Sequence, residues 1–418
     1  MGIVRRLSAE EVMKVAKAML IQNCVDPSLP KHVFGLSHQE TTDVELACLL
    51  LASAEKVAKQ EHDEGSRLLN LCDFLSSRTG SSVQRTVHYF TKALQERIAR
   101  EAGRNEEEGY RHSEETMAYG NPTIISCFLN LPFSQVTQFA GIQTIVESVT
   151  SVKRVHYIDL AIRSGTQCIV LMQALATSHE CPIELLKITA VGTSSKQKME
   201  ETGKGLARFA EALNLPFSFQ IILVRDIQDL NKDMFQTQAD EVVAIYSPVL
   251  LNHMIRKPSR LESLLKVVRK LNPCVMVVIE ADTDHNSPNF LGRFNDALLS
   301  YSAYFECLEV CMDRSDPNRM TMEDTYLSRQ IRNIVATEGE DRVFRRMKIE
   351  AWRNLFAGFS MVEQELSMSS LYQAELLVKS FACGSSCTLD RNGKCLTIGW
   401  KGRSFLSVSA WKFHQEEA

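Results

Sequence analysis

The chain has 418 residues, of which 44% are hydrophobic, and a formal net charge of −4. This composition supports a large buried core and excludes an intrinsically disordered chain. The near-neutral charge and the scattered Lys and Arg residues argue against direct nucleic-acid binding. No apolar run approaches the roughly 20 residues of a membrane-spanning helix, and cysteines inside apolar segments are typical of a reducing, intracellular compartment. Cys383, Cys387 and Cys395 lack the tight pairs and the fourth ligand of a zinc site.

The first third of the chain has the pattern of helices. From Asp43 onward the apolar residues recur at helical spacing, and further helices are predicted at about residues 82–98 and 136–149. No convincing strand pattern occurs in this third. We therefore predict a variable N-terminal segment at residues 1–42 and a leucine-rich α-helical cap at residues 43–150.

The pattern changes beyond residue 152. Short apolar runs alternate with helical segments, and this alternation predicts βαβ units and a largely parallel sheet. The predicted strands of this part are residues 155–160, 186–191, 217–223, 241–246 and 274–280.

The C-terminal part differs again. Strands are predicted at residues 374–381, 395–400 and 406–412, and Asn392-Gly393 between the first two favours a hairpin turn. A sheet that is parallel first and ends in an antiparallel hairpin is typical of adenosylmethionine-dependent methyltransferases. We therefore predict an α/β, Rossmann-like and methyltransferase-like core at residues 151–413, accompanied by the α-helical cap.

The turn after the first predicted strand lacks the features of a cofactor site. The strand ends in Asp159, but only Gly165 stands in the turn, where a dinucleotide or adenosyl cofactor needs several glycines. Gly192-Thr193 follows the second strand, without the carboxylate that would bind ribose hydroxyls. We expect Asp159 to cap the next helix or to pair with an Arg, and we expect no bound cofactor. A methyltransferase or a small-molecule sensor that uses the same cleft is the alternative function.

Other polar residues have a structural and a functional interpretation. His156 lies inside an apolar strand and is expected to be a buried, hydrogen-bonded core residue. Glu280 and His285 follow a strand end, where α/β proteins bind ligands. The alternative is that Glu280 and Asn286 order a loop and receive Arg side chains such as Arg293.

Two Leu-x-x-Leu-Leu stretches are candidates for binding a partner. Leu46, Leu49 and Leu50 would lie on one face of a helix, which suits either a groove in a partner or a core. For the stretch at residues 261–265, core packing is the expectation. Trp400 and Trp411 are also expected to be core residues of the closing strands.

Three groups of motifs follow one another along the α/β part of the chain. Residues 155–159 are similar to the VHIID signature, and the residues around Glu280, Asn286 and Arg342 resemble the PFYRE region. The ending from Trp400 through Ser409-Ala410-Trp411 is similar to the SAW motif. The order of these motifs resembles the GRAS domain of plant transcriptional regulators from about residue 43 to residue 413, and the motifs are most similar to the DELLA branch.

The resemblance implies a regulator that is not an enzyme. It would bind DNA-bound transcription factors and other GRAS proteins through the helical cap, in the nucleus, with Leu46, Leu49 and Leu50 at the contact. Homo- or heterodimers and gibberellin-type growth signalling agree with the resemblance. We expect no metal site, no membrane association and no direct binding of nucleic acid. The residues that it assigns to the motifs and the frame are Val155, His156, Ile158, Asp159, Gly165, Glu280, Asn286, Arg342, Trp400, Ser409 and Trp411.

Several departures from the family pattern bear on partner choice. The residues before the helical region contain neither a DELLA-like nor a VHYNP-like segment, so we expect no gibberellin-receptor recognition. Leu251-Asn252 stands where a Leu-His pair is usual, and Phe344 stands where an acidic residue is expected. These changes concern partners more than the fold.

Overall fold

A computed structural model describes residues 6–25, 35–104, 121–177, 181–193 and 196–414. The helices in chain order are α1 (Ala9–Val25), α2 (His38–Ala58), α3 (His62–Leu75), α4 (Ser82–Glu101), α5 (Pro122–Asn130), α6 (Pro132–Ser148), α7 (Thr166–Ala176), α8 (Lys196–Ala212), α9 (Pro258–Leu271), α10 (Phe290–Cys311), α11 (Pro317–Thr321), α12 (Ser328–Ala336), α13 (Ile349–Gly358) and α14 (Met368–Ser380). The strands are β1 (Arg154–Asp159), β2 (Leu185–Gly192), β3 (Phe217–Leu223), β4 (Val242–Pro248), β5 (Val275–Ala281), β6 (Met361–Gln364), β7 (Cys387–Asn392), β8 (Cys395–Trp400) and β9 (Arg403–Phe413). A π-helical segment, Met322–Leu327, joins α11 to α12.

The N-terminal part is helical, as predicted. Every helix or strand in the described residues before β1 is an α-helix. α2 begins at a capping box in which Ser37 and Glu40 each bind the other's backbone N–H, and Ser81 and Gln84 form a second box at the start of α4. These side chains satisfy N–H groups that the first helical turn leaves without an intrahelical acceptor.

The strands form one sheet with the order β3-β2-β1-β4-β5-β9-β8-β7, and β6 pairs with β9 beside that path. The first five strands run parallel to one another, whereas β9 runs antiparallel to β5 and β8. The strand order reverses at β1, so the carboxyl ends of β1 and β4 flank the place where doubly wound sheets bind ligands. The predicted methyltransferase-like α/β fold is confirmed.

One predicted strand is wrong. Residues 374–381 lie largely in α14, which buries Leu371, Ala374 and Val378 on one face. These side chains recur at spacings of three and four residues, so helical packing buries a run that resembled a short strand. The predicted hairpin turn at Asn392-Gly393 is present, but the strand that it joins to β8 is β7.

The chain forms two compact units. The helical unit comprises Met1–His112 and Thr283–Arg346, and the sheet unit comprises Ser113–Asp282 and Met347–Ala418. This division differs from the predicted domain boundaries at residues 42 and 150. The first unit gains α10 and α12 because these helices pack on α4, and the second unit gains α6 because it packs on β5 and β9. Within the predicted variable segment, α1 packs on α2, and residues 1–5 and 26–34 lie outside the described residues.

Each unit has an aromatic core of its own. In the sheet unit the ring centroids of Phe356 and Trp411 are 4.7 Å apart, and Trp352 stacks on Phe356 at 5.6 Å. In the helical unit Phe90 contacts Phe294 edge-on at 5.4 Å. None of the helices in the described part of the chain has the length and apolar character needed to cross a membrane.

Candidate functional site

The carboxyl end of β1 holds a buried carboxylate whose oxygens accept three hydrogen bonds. Oδ1 of Asp159 accepts from the backbone N–H of Ala161 at 3.0 Å. Oδ2 accepts from Nε2 of Gln167 at 2.7 Å and from the hydroxyl of Tyr157 at 3.3 Å. Burial raises the pKa of Asp159 to about 6, although these donors act in the opposite direction. The carboxylate thus fastens β1 to the start of α7.

Sequence reasoning did not single out Gln167, which is the principal donor to Asp159. Its amide nitrogen donates to the carboxylate, and its amide oxygen accepts a hydrogen bond from Gln138 of α6 at 3.2 Å. Gln167 is 6% exposed. A glutamine in the first turn of a largely apolar helix was the available signal, because a buried amide needs partners.

Protein atoms fill the space beside Gly165. This residue precedes α7 with a φ of +72°, which favours glycine. A Cβ atom at this position would lie 2.8 Å from Cγ2 of Thr202 and 3.5 Å from Leu206, both of α8. Ile162 in the same turn is buried as well. The glycine therefore allows α8 to approach the turn, rather than a ligand.

These residues do not fit adenosylmethionine or a dinucleotide. The Asp159 carboxylate is already bound on both oxygens, α8 occupies the glycine gap, and Gly192 ends β2 without an adjacent carboxylate. In the described part of the chain no group of three or more His, Cys, Asp or Glu side chains could hold a metal ion.

His156 belongs to a second buried polar cluster, near the amino end of β1. Its Nε2 is 2.7 Å from Oγ1 of Thr189, and its Nδ1 is 3.4 Å from Oε2 of Glu241. Burial, together with the charge of Lys187, lowers the pKa of His156 to about 3. The ring is therefore neutral near pH 7, and the arrangement matches the expected hydrogen-bonded core histidine. Val155 and Ile158 of the same strand are fully buried.

Glu280 orders the segment that follows β4. The side chain is buried, and its Oε1 accepts a hydrogen bond from the backbone N–H of Leu251 at 2.6 Å. Asn252, which replaces the histidine of the family pattern, is 6% exposed. These contacts agree with the loop-ordering interpretation of Glu280.

Asn286 and Arg342 order loops of the helical unit. Nη1 of Arg342 donates to the carbonyl oxygen of His285 at 2.7 Å, and Nη1 of Arg345 donates to Oδ1 of Asn286 at 3.3 Å. The expected donor to Asn286, Arg293, donates instead to other groups of the unit. Burial is the main reason that the pKa of Arg342 falls to about 10, so the guanidinium stays charged near pH 7.

Asn333 holds the residues around Arg342 and was not predicted as a site residue. Its Oδ1 accepts hydrogen bonds from the backbone N–H groups of Val343 and Phe344, both at 2.9 Å. Its Nδ2 donates to the carbonyl oxygen of Asp341 at 2.9 Å. An asparagine between the buried apolar residues of α12 was the signal, since a fully buried amide requires partners.

The C-terminal tryptophans lie in the core of the sheet unit, as expected. Trp400 is 0% exposed and Trp411 is 2% exposed. The indole Nε1 of Trp411 donates to Oγ of Ser409 at 2.8 Å. Ser409 and Trp411 project from the same face of β9 because they are two positions apart in the strand. The Ser-Ala-Trp ending is therefore a packed, hydrogen-bonded strand.

Arg353 clamps the turn between β7 and β8. Its guanidinium binds both carboxylate oxygens of Glu363, at 2.8 Å and 3.1 Å, and its Nη1 donates to Oδ1 of Asn392 at 2.8 Å. A Cβ atom on Gly393 would lie 2.9 Å from this guanidinium. The clamp thus stabilises the hairpin, and the φ of +60° at Gly393 accounts for the glycine in its turn.

The prediction that Leu46, Leu49 and Leu50 bind a partner needs correction. Leu50 is 0% exposed and Leu46 is 5% exposed, and Leu49 is partly exposed. α2 is covered by α1, α3, α4 and α10, so its apolar face is used inside the helical unit. A partner cannot reach Leu46 or Leu50 without opening the unit. The second stretch, at residues 261–265, lies in α9 with its leucines buried, as expected.

An exposed apolar surface of the helical unit lies on α3 instead. Leu71, Phe74 and Leu75 are 52%, 85% and 51% exposed. Their spacing places them on one face of the helix, while Leu69 and Cys72 of the same helix are buried. A group of large exposed apolar side chains is typical of an interaction surface. We call these three residues the α3 patch.

The sequence and the fold match known proteins. The family model described as the GRAS domain family matches residues 46–412. DELLA protein 1 of Medicago truncatula is 29% identical over 91% of this chain, which spans 65% of that relative's length. DELLA protein RGL3 of Arabidopsis thaliana is 32% identical over 90% of this chain and 71% of its own length. The crystal structure of SCL7 in Oryza sativa has a TM-score of 0.79 and 27% identity, covering 88% of this chain and 99% of SCL7.

The fold and the site define a class of protein with a methyltransferase-like sheet and a packed, rather than open, cofactor edge. The match over residues 46–412 shows the family: the chain belongs to the GRAS domain family of plant regulators.

Proposed function

We propose that this chain regulates transcription in the nucleus by binding DNA-bound transcription factors, without catalysing a reaction. The observation that carries the proposal is the GRAS match over residues 46–412, combined with a cofactor edge filled by Gln167 and Thr202. A regulator of this kind needs a rigid frame and an exposed surface for its partner. The buried cores of the two units supply the frame, and the α3 patch supplies an exposed apolar surface.

We propose the helical unit as the contact region. A transcription factor could lay an amphipathic helix on the α3 patch, because such helices bind through apolar side chains spaced three and four residues apart. The same surface could join a second GRAS protein. This assignment replaces the buried Leu46 and Leu50 with residues that a partner can reach.

A role in gibberellin-type growth signalling is part of the proposal. The identity to DELLA proteins supports it, although this chain spans 65% of DELLA protein 1. Expression of the chain in plants that lack their DELLA proteins tests the role. Restored growth restraint would support it, and unchanged tall growth would count against it.

The test of the main proposal is recruitment to DNA through a second protein. Tagged chain is captured from plant nuclei, its associated transcription factors are identified, and one of them is purified together with a promoter fragment that it binds. We expect this chain to join the DNA only when the transcription factor is present. A shift of the promoter fragment by the chain alone would contradict the proposal, as would the absence of any transcription factor among the captured proteins.

A further inference from the structure

A cleft of about 710 Å³ in the helical unit is lined by an excess of positive charge. It lies between α4 and the helical stretch from the π-helical segment into α12. Its cationic side chains are Arg78, Lys92, Arg100, Arg104 and Arg332. Only two lining residues, Glu96 and Asp324, carry carboxylates. Lys92 also binds the carboxylate of Asp73 in α3, at 2.9 Å. With Asp73 counted beside Glu96 and Asp324, the cleft keeps an excess of two positive charges in a chain whose net charge is −4.

Glu96 and Asp324, the two carboxylates that line the cleft, are each paired with cationic side chains of the same cleft. Glu96 accepts hydrogen bonds from Arg100 at 2.8 Å and from Arg332 at 2.5 Å. Although burial favours the neutral acid, these two guanidinium groups lower the pKa of Glu96. Asp324 accepts a hydrogen bond from the hydroxyl of Tyr89 and lies 3.6 Å from a guanidinium nitrogen of Arg78. The walls are therefore already arranged for carboxylate groups.

The shape of the cleft favours an extended ligand. From His88 to Arg100 the wall formed by α4 spans about 18 Å, at 1.5 Å per helical residue. That length corresponds to roughly five residues of extended peptide. A nucleic-acid backbone, by contrast, needs a continuous cationic track for regularly spaced phosphates, and Glu96 and Asp324 interrupt this one.

We propose that this cleft binds an acidic peptide segment, rich in Asp and Glu, of a protein partner. Arg104 would receive a carboxylate of the peptide near one end of the α4 wall. Lys92, Arg100 and Arg332 would be shared between the ligand and their present carboxylate partners, Asp73 and Glu96. The proposal rests on the proposed partner-binding function and names the chemistry of one partner. The cleft borders the α3 patch, because Lys92 binds Asp73 of α3, but its charged walls differ from that patch, which suits an apolar helix face.

The test uses the full chain and a fluorescent peptide of alternating Glu and Ala, with a Gln-Ala peptide of equal length as its control. Binding is followed by fluorescence anisotropy at about 50 mM salt, where exposed charges are weakly screened. We expect the Glu peptide to bind and the Gln peptide not to bind. The double variant Lys92→Glu/Arg104→Glu should weaken binding roughly ten-fold or more, because attraction becomes repulsion at two positions.

Lys59→Glu/Arg67→Glu is the matched control. Lys59 and Arg67 are exposed residues of the helical unit outside the cleft, and the change in net charge is the same. We expect this control to alter binding less than two-fold, roughly the effect of a long-range charge. An unchanged melting temperature shows that each variant is folded, and Lys92→Gln/Arg104→Gln replaces the reversal if it is not.

Three results would overturn the inference: no binding of the Glu peptide, an equal loss in both double variants, or tighter binding of duplex DNA or inositol hexakisphosphate that depends on the same residues. Recruitment to DNA through a transcription factor is measured separately. If recruitment occurs and the Glu peptide does not bind, the proposed function stands and the cleft inference fails. If recruitment never occurs, the proposed function fails, even when the peptide binds.

Discussion

The indole of Trp411 both packs against an aromatic ring and donates a hydrogen bond. Its ring lies 4.7 Å from that of Phe356, and its N–H donates to Ser409. We expect Trp411→Ala to lower the free energy of unfolding by about 3–5 kcal/mol, since the change leaves a cavity and removes buried apolar area. Chemical denaturation measures this. Phe413→Ala, at the partly exposed end of the same strand, should cost clearly less; equal losses would show that Trp411 is not part of the core.

The raised pKa of Asp159 makes stability depend on pH. Because burial raises the folded-state pKa to about 6, above the unfolded value of about 3.9, the folded state binds the proton more tightly. The stability from this group is complete below the unfolded pKa and is lost as the pH rises through about 6. Between pH 5 and pH 7 the native chain should lose about 1 kcal/mol that Asp159→Asn does not lose.

Urea denaturation of both proteins at the two pH values measures that difference. Other titrating groups contribute equally to the two proteins and cancel in the comparison. Asp159→Asn is expected to be less stable than the native chain at pH 7, where Asp159 is ionised, because an amide cannot accept all the hydrogen bonds that the carboxylate accepts from Ala161, Gln167 and Tyr157. Parallel loss of stability in both proteins would refute the pH effect of Asp159.

Among the helices, α2 contributes its leucines to the core, whereas α3 exposes apolar side chains at the surface. Leu50→Ala should lower the free energy of unfolding by about 2–5 kcal/mol, because Leu50 is fully buried. Phe74→Glu should leave the melting temperature nearly unchanged, since the ring is 85% exposed, but it should abolish partner capture. Tyr372→Glu, at a 60% exposed site on α14 of the sheet unit, is the matched control and should retain capture.

The opposite pattern would return the contact to α2. Loss of capture in folded Leu50→Ala, with capture retained in Phe74→Glu, would mean that partners bind an opened form of the helical unit. Capture is compared well below the melting temperature of the least stable variant, so that unfolding does not imitate a loss of contact.

Helix α14 shows why an element can be predicted wrongly. Residues 374–381 have enough apolar residues for a short buried strand, and a short apolar run fits either period. What decides the outcome is the packing of α14 on α6, which buries Leu371, Ala374 and Val378 together. β7, with many half-exposed residues, has a weaker apolar pattern and escaped prediction although it forms the hairpin.

At the scale of the whole molecule, the filled cofactor edge leads to a direct test. Titration with adenosylmethionine to millimolar concentration should release no heat and should not shift the melting temperature. The physical reason is that Asp159 is already bound and that Thr202 and Leu206 close the gap beside Gly165. Clear micromolar binding would move a methyltransferase or a ligand sensor ahead of the regulator proposed for this chain.

The α/β class, the parallel-then-antiparallel sheet and the family could be predicted from the sequence alone, because hydrophobic period, turn residues and motif order are local properties of a chain. The sequence also indicated that Asp159 and Trp411 are structural. The folded chain was needed to show that Leu46 and Leu50 are buried, that Gln167 binds Asp159, and that residues 283–346 pack with the N-terminal helices. Each of these depends on which distant faces meet, and a helical face of leucines looks the same in sequence whether it covers a core or awaits a partner.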